Sequence, residues 1–423
     1  MAARTHAREA SAHGDEERLV ALACARALLS VANVRAPING DVATAACAAA
    51  VGVLEPLRAP DIYRSDALLT QARTWHDEQP ELFRQDFRLT PSVFDRLLQA
   101  LNPTLEGAKQ AVKCTPDVVL MLTLSRLGSR CTLRDVGERF GLSPSSAFNC
   151  FWFAVTAINT VLLPTYVHWP SPAGLQEIRQ GFACFKLGGN IVGAIDCTHV
   201  SVCPPEDVAD NYLDRTRGHS VIAQAVVDHR GLFTSVNAGY PGSAHDLTVL
   251  RASRLYKNIV GGLTVADGDV LLADSGYFVR PYLLTPFDLR GGPLTAEQIR
   301  YNTAHSRARG IVERAFGQLK QRYRTLLFGI EGDVFRAHHV VTACFALHNF
   351  GLLHGEPPWE IDEREANDVI ARPPKPIQGS EDVQLAAGRT YRDMVLRKFS
   401  VARQITRNDR NRARTSRARR NSL

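Results

Sequence analysis

The sequence of 423 residues has no uninterrupted apolar run as long as a membrane span requires. Its longest apolar stretches lie near the N-terminus, at residues 19–34 and 42–54. Arg26 interrupts the first stretch, and the second is mostly alanine and shorter than the ~18 apolar residues of a spanning helix. No basic segment followed by a clean apolar segment opens the chain. We therefore expect neither insertion into a membrane nor secretion.

Cysteine pairs at metal-binding spacing are also lacking. The nine cysteines are scattered, and no two of them are spaced as CxxC. This pattern excludes a zinc ribbon and a disulfide framework, and it favours a reducing compartment. The composition, with 45% hydrophobic and 22% charged residues, is that of a globular protein. The length allows two or three domains of roughly 100–200 residues each.

Basic residues are concentrated at the C-terminal end. The formal net charge is +7, and from Arg392 onward the chain has eleven Lys or Arg residues against two acids. Residues Arg407–Arg420 contain almost nothing apolar, so we expect them to be disordered. Such a segment acts either as a nuclear-import signal or in non-specific DNA contact. We expect a nuclear protein, with the cytoplasm as a second location. The alternative for this segment is a solvated tail without a partner.

Composition and periodicity divide the chain into four parts. The predicted parts are an Ala-rich helical or disordered segment (1–60), a helical domain (61–165), an α/β domain (185–352) and a disordered basic tail (353–423).

A helix-turn-helix is predicted from Thr132 to Ile158. Thr132 can cap a first short helix, Gly141 can supply a positive φ, and Ser143 followed by Pro144 can start a second helix. The N-terminal residues of this second helix that would face DNA are Ser145, Ser146 and Asn149. The alternative is a helical hairpin that only packs.

Short β-rich runs begin near Gly189. Three strands, a helix, two further strands and two helices are predicted in that order, which is typical of an α/β domain with a mixed sheet and flanking helices. One predicted helix spans HDLTVLRASRLY, and a long amphipathic helix is predicted over residues 306–326.

Four acidic residues lie within or at the ends of these predicted strands and helices. Asp196 lies in an apolar strand, where an unpaired carboxylate is unfavourable, and Asp274 lies where another strand gives way to a Gly turn. Asp246 begins a helix, and Glu313 lies beside the apolar stripe of its helix. Three of them also have a purely structural interpretation: Asp246 as an N-cap, Asp274 as a turn residue and Glu313 as a surface acid.

Carboxylates without a matching Cys/His set suit a hard divalent cation, Mg²⁺ or Mn²⁺. We expect Asp196, Asp274 and Glu313 to converge on one edge of the sheet. Two such cations can promote in-line phosphodiester cleavage. Lys320 lies on the same side of its helix as Glu313 and is a candidate DNA contact.

The chain resembles the PIF/Harbinger transposases and the Harbinger transposase-derived nucleases of animals. The matching segments are GAIDCTHV, NYLDRTRGHSVIAQAVVDHRG, YPGSAHDLTVLRASRLY, LLADSGYFVRPYLLTPF, YNTAHSRARGIVERAFGQL and ALHNF, with FRLTPSVFDRLL and TLRDVGERFGLSPSSAF upstream. The resemblance implies an RNase H-like fold and a DDE endonuclease. It implies a catalytic triad of Asp196, Asp274 and Glu313, with Asp246 as a further metal ligand. It also implies a separate Myb-like DNA-binding partner.

Two features depart from many family transposases. Cys197 stands where many of them have Gly, and a Gly/Pro-containing insertion, Arg290–Gln298, precedes the helix that carries Glu313. Neither removes an acid. The predicted function is a metal-dependent DNA endonuclease. The alternatives are a domesticated, non-catalytic DNA-binding protein and a metal phosphatase for small substrates. A phosphatase of this kind would need neither the basic tail nor the helix-turn-helix.

Overall fold

The computed structural model describes residues 67–107, 114–266, 268–289, 292–359, 388–390 and 392–397. The chain divides into two compact units, residues 1–162 and 163–423. The predicted Ala-rich N-terminal segment and the Arg-rich segment 407–420 lie outside the described residues.

All the regular elements among the described residues of the first unit are helices. Its helices are α1 (Ala67–Glu78), α2 (Pro80–Phe87), α3 (Pro91–Leu105), α4 (Pro116–Gly128), α5 (Leu133–Arg139) and α6 (Pro144–Ala157), with a π-helical stretch at Ile158–Leu162. Helix α4 packs against α2, α3, α5 and α6 and is buried along nearly its whole length. An all-round apolar helix of this kind forms the centre of a core.

The two predicted short helices are present around Gly141. The Thr132 hydroxyl accepts the Asp135 N–H at 3.2 Å, and the Asp135 carboxylate accepts the Thr132 N–H at 3.0 Å, which closes a capping box at the start of α5. Gly141 has a φ of +64°, and Ser143 caps α6 with Pro144 as its first residue. Gly137 lets the helices approach closely, since a Cβ there would lie 2.6 Å from the Ala147 Cβ.

A continuous helical stretch from Pro144 to Tyr166 is apolar, with a mean hydropathy of 1.5 over its most apolar window. Its 23 residues are long enough to cross a membrane by length and composition alone. Half of that window is buried inside the protein, and the core helix of a soluble protein passes the same test.

The second unit is the predicted α/β domain with a mixed sheet. Its elements are α7 (Leu163–Tyr166), α8 (Pro172–Phe182), β1 (Asn190–Ser201), α9 (Ala209–Tyr212), β2 (Ser220–Val227), β3 (Phe233–Pro241), α10 (Asp246–Ala252), α11 (Arg254–Val260), β4 (Asp269–Leu272), β5 (Leu283–Leu284), α12 (Ala296–Arg322), α13 (Thr325–Phe328) and α14 (Ala337–Leu353). Short 3₁₀ turns lie at Ala183–Phe185, Glu206–Val208 and Val334–Arg336.

The five strands are arranged in the order β3-β2-β1-β4-β5. β1, β2 and β3 pair in antiparallel fashion, whereas β4 pairs parallel to β1 and β5 parallel to β4. Asp228 closes the predicted hairpin turn between β2 and β3, because its carboxylate accepts the N–H groups of Arg230 at 2.8 Å and Leu232 at 2.9 Å.

Helices cover both faces of the sheet. Val226 on β2 belongs to an apolar cluster with residues of α8, α10 and α11. Val227, the next residue, points to the other face. Its partner on β3, Phe233, packs there with Phe316 of α12 and Phe345 of α14. A strand buried on both faces explains why β2 reads as a continuous apolar run broken by a single polar residue.

Three elements differ from their predicted extent. The helix predicted over HDLTVLRASRLY is two helices, because the Ser253 hydroxyl accepts the Tyr256 N–H at 3.0 Å and caps α11. In DVLLADSGY only Asp269–Leu272 pairs as a strand. Helix α12 begins at Ala296, ten residues before the predicted start at residue 306, so the insertion is helical at its end. The cause is a capping box between Thr295 and Gln298.

Part of the predicted disordered tail is helical and packed. Residues 388–390 and 392–397 are helical, and Val395 is fully buried. The Arg392 guanidinium lies 4.1 Å from the centre of the Phe287 ring and donates to the Pro286 carbonyl at 3.1 Å. The prediction of disorder over 353–423 therefore does not apply to this stretch.

Candidate active site

The sheet topology brings Asp196 and Asp274 to neighbouring positions. β1 and β4 run parallel, and the last pair between them is Ala194 with Leu272. Asp196 and Asp274 each follow two residues later on adjacent parallel chains. Both positions agree with the prediction: Asp274 lies just beyond the end of β4, and Asp196 lies inside β1, where β1 continues beyond its pairing with β4.

Asp246 approaches Asp274 at Gly276. The Asp274 carboxylate accepts the Gly276 N–H at 2.9 Å, so Asp274 also has the turn role considered as its alternative. A Cβ at Gly276 would lie 3.0 Å from Asp274 Oδ1 and 3.2 Å from Asp246 Oδ2. The absence of a side chain at Gly276 therefore leaves both carboxylates facing one small space. His245, not Asp246, is the N-cap of α10, and the Asp246 carboxylate is directed to this space.

Glu313 is joined to Asp196 through Arg309. The Arg309 guanidinium donates to Asp196 Oδ2 at 2.7 Å and also to the Glu313 carboxylate. Arg309 and Glu313 are one turn apart on α12, which packs against β1, β2 and β4. The side chains of Arg309 and Asp196 are 19% and 18% exposed, so this ion pair is largely shielded from water.

The carboxyl groups of the site have too little positive charge near them. Burial raises the pKa of Asp196 to about 7, and the neighbouring Asp274 and Asp246 add to this rise, although Arg309 opposes it. Burial and Asp246 also raise the pKa of Asp274, against the Gly276 N–H, Arg309 and Arg215. The guanidinium groups of Arg309 and Arg215 thus do not compensate the carboxyl groups gathered here. A bound cation would relieve this imbalance.

These residues fit a divalent cation by their chemistry. All four donors are carboxylates, the ligands that Mg²⁺ and Mn²⁺ prefer, and Gly276 provides the space at which Asp274 and Asp246 meet. The geometry is different from that of a loaded site. Within the described ranges, no three His, Cys, Asp or Glu side chains come together closely enough to hold a metal ion. Arg309 lies between Asp196 and Glu313 instead.

A buried polar network supports the acids and was not predicted. Gln224 Nε2 donates to the Tyr277 hydroxyl at 2.8 Å and to the Asp246 carbonyl at 3.0 Å. The Cys197 thiol lies 3.4 Å from both Gln224 Nε2 and the Tyr277 hydroxyl. The one available signal was Gln224 itself, a polar residue inside the apolar run of β2. Its partners could not be found without the fold.

The predicted DNA-contacting residues have different surroundings. Ser145 is exposed and Asn149 half-buried on α6. The Ser146 N–H donates to the Ser143 hydroxyl at 3.2 Å, and the two hydroxyls lie 2.9 Å apart, so Ser146 is engaged in the helix cap. Lys320 is 7% exposed, and its ammonium donates to the His199 carbonyl at 2.7 Å. A DNA contact by Lys320 stays a prediction and would require the ammonium to leave this carbonyl.

Comparisons with known proteins bear on the same segment. The family model described as DDE superfamily endonuclease matches residues 195–349, which include all four acids. The chain is 28% identical over 313 residues to "Putative nuclease HARBI1" of Bos taurus, across 72% of this chain and 86% of that protein. The protein of the same name in Homo sapiens is also 28% identical over 313 residues, with the same coverage. "Protein ALP1-like" of Arabidopsis thaliana is 30% identical over 293 residues, across 64% of this chain and 70% of that protein.

No solved structure is significantly similar to the chain. The family match covers the sheet and the helix that carries Glu313, and the relatives extend the similarity into the helical unit. The chain therefore belongs to the DDE superfamily endonucleases, among the Harbinger transposase-derived proteins.

Proposed function

We propose that this protein is a metal-dependent DNA endonuclease derived from a transposase. Asp196, Asp274 and Glu313 are the proposed catalytic carboxylates, and Asp246 is a further ligand for the metal. The observation that carries the proposal is the meeting of acids from four separate segments, namely β1, the turn after β4, the start of α10 and α12. Such a convergence of half-buried carboxylates is typical of a functional site.

The strand order supports an RNase H-like fold. Three antiparallel strands lie on one side of the sheet, and β4 and β5 continue it in parallel from β1. This is the arrangement that the resemblance to Harbinger transposases implies. Asp196 lies on the central strand β1, and Asp274 follows the end of the parallel neighbour β4.

The proposed cofactor is Mg²⁺ or Mn²⁺. Two such cations would activate a water molecule or a 3′-hydroxyl and stabilise the leaving oxygen of the cleaved phosphodiester. The protein's own part is to hold the carboxylates in place. The Cys197 N–H donates to Asp196 Oδ1 at 2.8 Å, and the Gly276 N–H donates to the Asp274 carboxylate. Two of the proposed metal-binding carboxylates are therefore oriented before a metal ion binds.

DNA is the proposed substrate, and the nucleus is the proposed location. Helices α5 and α6 are a candidate helix-turn-helix, with Ser145 and Asn149 at the start of α6. The Arg-rich segment 407–420 would serve nuclear import or contact phosphates. A Myb-like partner that supplies further DNA specificity belongs to the same proposal. Deleting residues 400–423 separates the two roles, since only a DNA contact flattens the salt dependence of binding.

Nicking of a supercoiled plasmid with Mg²⁺ or Mn²⁺ tests the activity. The wild-type chain should convert it to the open circle, and EDTA should stop the reaction. Asp196→Asn, Asp274→Asn and Glu313→Gln should each lower the rate by at least about a hundredfold, because each removes a ligand of the reacting centre. Glu297→Gln is the matched control, since Glu297 is an exposed acid on the same helix as Glu313. Wild-type chain that leaves the plasmid intact with both metals would contradict the proposal.

A second candidate function is DNA binding without catalysis. The observation that favours it is the contact of Arg309 with both Asp196 and Glu313. In a protein that no longer binds metal, this contact would be a permanent ion pair. In that case the chain would bind plasmid DNA with the same affinity in EDTA and in Mn²⁺. It would also leave the plasmid uncut.

A further inference from the structure

The Arg309 side chain lies where the acids of the site would share a cation. Its two terminal nitrogens donate separately, one to Asp196 Oδ2 and the other to the Glu313 carboxylate. These carboxylates come from β1 and from α12, and Arg309 is the group that joins them. A guanidinium that bridges two acids in this manner does what a metal ion does in a loaded site.

We propose that Arg309 is an internal counterion, which holds Asp196 and Glu313 in the metal-free protein and must be displaced when a divalent cation binds. This inference rests on the metal site of the proposed function. It adds a step that the site's acids alone do not imply. Binding of the metal and release of Arg309 are then one coupled event.

Displacement follows from the geometry of the oxygens. Mg²⁺ binds its oxygen ligands at roughly 2.0–2.1 Å. The Arg309 nitrogen lies 2.7 Å from Asp196 Oδ2, on the side that faces Glu313. A cation bridging the same two carboxylates would therefore overlap the guanidinium, and it would repel its positive charge.

The local packing allows Arg309 to leave. Its side chain is 19% exposed, so part of it borders solvent although the ion pair is largely shielded. His305, one turn earlier, is 1% exposed and its ring faces the Leu284 carbonyl at 3.1 Å. Helix α12 is thus held by its buried residues, and the exposed part of the Arg309 side chain gives it a route from the acids to water.

Titration calorimetry of the full chain with MnCl₂, after removal of metal by EDTA and dialysis, tests the inference. Arg309→Gln removes the competing cation, and its Kd for Mn²⁺ should fall about tenfold below that of the wild type. Arg309→Lys keeps the positive charge but loses one of the two bridging nitrogens, so its Kd should lie between those of the wild type and Arg309→Gln. Arg307→Gln is the matched control, because it removes the same charge from an exposed position on the same helix.

Thermal unfolding gives a second measurement that does not depend on activity. Arg309→Gln leaves the acids uncompensated, so its Tm in EDTA should be lower than that of the wild type. Mn²⁺ should raise its Tm by more than it raises the wild-type Tm. If Arg309→Gln binds Mn²⁺ no more tightly than the wild type, the counterion role is wrong.

The outcomes separate this inference from the proposed function. Wild-type nicking together with an unchanged Kd in Arg309→Gln would overturn the inference and leave the nuclease standing. Tighter Mn²⁺ binding by Arg309→Gln, in a chain that never cuts DNA, would support the inference and contradict the nuclease. Failure of both the wild type and Arg309→Gln to bind Mn²⁺ would overturn both.

Discussion

Gln224 donates to the Tyr277 hydroxyl at 2.8 Å, and this bond connects β2 with the turn that follows Asp274. The same amide nitrogen donates to the Asp246 carbonyl, at the first residue of α10. Gln224 stands opposite Cys197 in the register of β1 and β2, next to Asp196. One buried amide therefore contacts the segments that carry three of the acids. We conclude that it sets their relative positions.

Tyr277→Phe should destabilise the protein by about 1–2 kcal/mol. Gln224 and Tyr277 are 3% and 2% exposed, so the amide would keep a buried donor with one acceptor fewer and no access to water. A lower urea midpoint with an unchanged m-value measures the effect. Tyr240→Phe is the control, since it removes the hydroxyl of a half-buried tyrosine on β3 of the same sheet.

A double-mutant cycle identifies the bond as the cause. Gln224→Met removes the other partner, so the double variant leaves no unpaired amide facing the phenyl ring that Tyr277→Phe introduces. Its loss of stability should be smaller than the sum of the two single losses. Strict additivity would mean that the Gln224–Tyr277 bond contributes nothing of its own.

Local sequence signals predicted the elements but not the contacts between them. The cap at Thr132, the positive φ of Gly141 and the apolar runs of β1 and β2 depend on neighbouring residues, and all were correctly placed. The start of α12 was missed because the capping box of Thr295 and Gln298 lies in the Gly/Pro-containing insertion, whose composition resembles a loop.

The candidate site was predicted only as a set of acids. Their proximity follows from the parallel pairing of β1 with β4, which two short apolar runs far apart in the sequence do not reveal. Arg309 was overlooked because an arginine on a polar helix face is ordinarily a solvated residue. Its contact with Asp196 joins residues 113 positions apart, and only the packed fold defines it.

Asp196→Asn should stabilise the metal-free protein at neutral pH. Burial raises the pKa of Asp196 from 3.8 to about 7, so the folded state holds a proton that the unfolded chain releases between these values. Stability from this group is present below pH 3.8 and is lost as the pH rises to about 7. Asparagine does not titrate. The free energy of unfolding that Asp196→Asn gains over the wild type should therefore grow over this pH range, to roughly 2–4 kcal/mol at pH 8.

Thermal unfolding in EDTA at several pH values measures this gain. Asp207→Asn, at an exposed position, is the control and should change the stability little. An equal gain for Asp196→Asn at pH 4 and pH 8 would show that the buried charge is not the cause. Loss of nicking by the same variant would then link stability and activity at one carboxylate.

His348 should make the fold sensitive to acid. Burial, aided by Arg322, lowers the pKa of His348 to about 3, and its ring faces the Gly231 carbonyl at 3.3 Å. The unfolded chain therefore takes up a proton below about pH 6.5, whereas the folded state does not. Stability falls as the pH decreases, by about 2 kcal/mol between pH 6.5 and pH 5 for this residue.

His348→Gln tests this sensitivity, because glutamine keeps an N–H donor but does not titrate. The variant should lose about 2 kcal/mol less than the wild type in urea denaturation between pH 7 and pH 5. His305, whose pKa burial lowers to about 4, supplies a similar contribution and remains in the variant. Parallel stability curves for the two proteins would contradict the assignment to His348.

The DNA-facing role of α6 depends on Ser145 and Asn149. Ser145 is exposed and Asn149 half-buried near the start of the helix, whereas Ser146 is engaged with the Ser143 cap. If α6 enters a groove, the double variant Ser145→Ala/Asn149→Ala should weaken DNA binding by about threefold to tenfold, through lost hydrogen bonds to base edges. Thr160→Ala, beyond the end of α6, is the control.

Fluorescence anisotropy of the full chain in EDTA, at several salt concentrations, measures this loss without cleavage. Ser145 and Asn149 are neutral, so their removal releases no fewer counterions, and the slope of affinity against salt should stay that of the wild type. Deletion of the Arg-rich tail would change that slope if the tail contacts DNA. The contribution of α6 to DNA affinity should therefore be independent of salt, whereas that of the tail should depend on it. Unchanged affinity in the double variant, at every salt concentration, would show that α5 and α6 only pack within the helical unit.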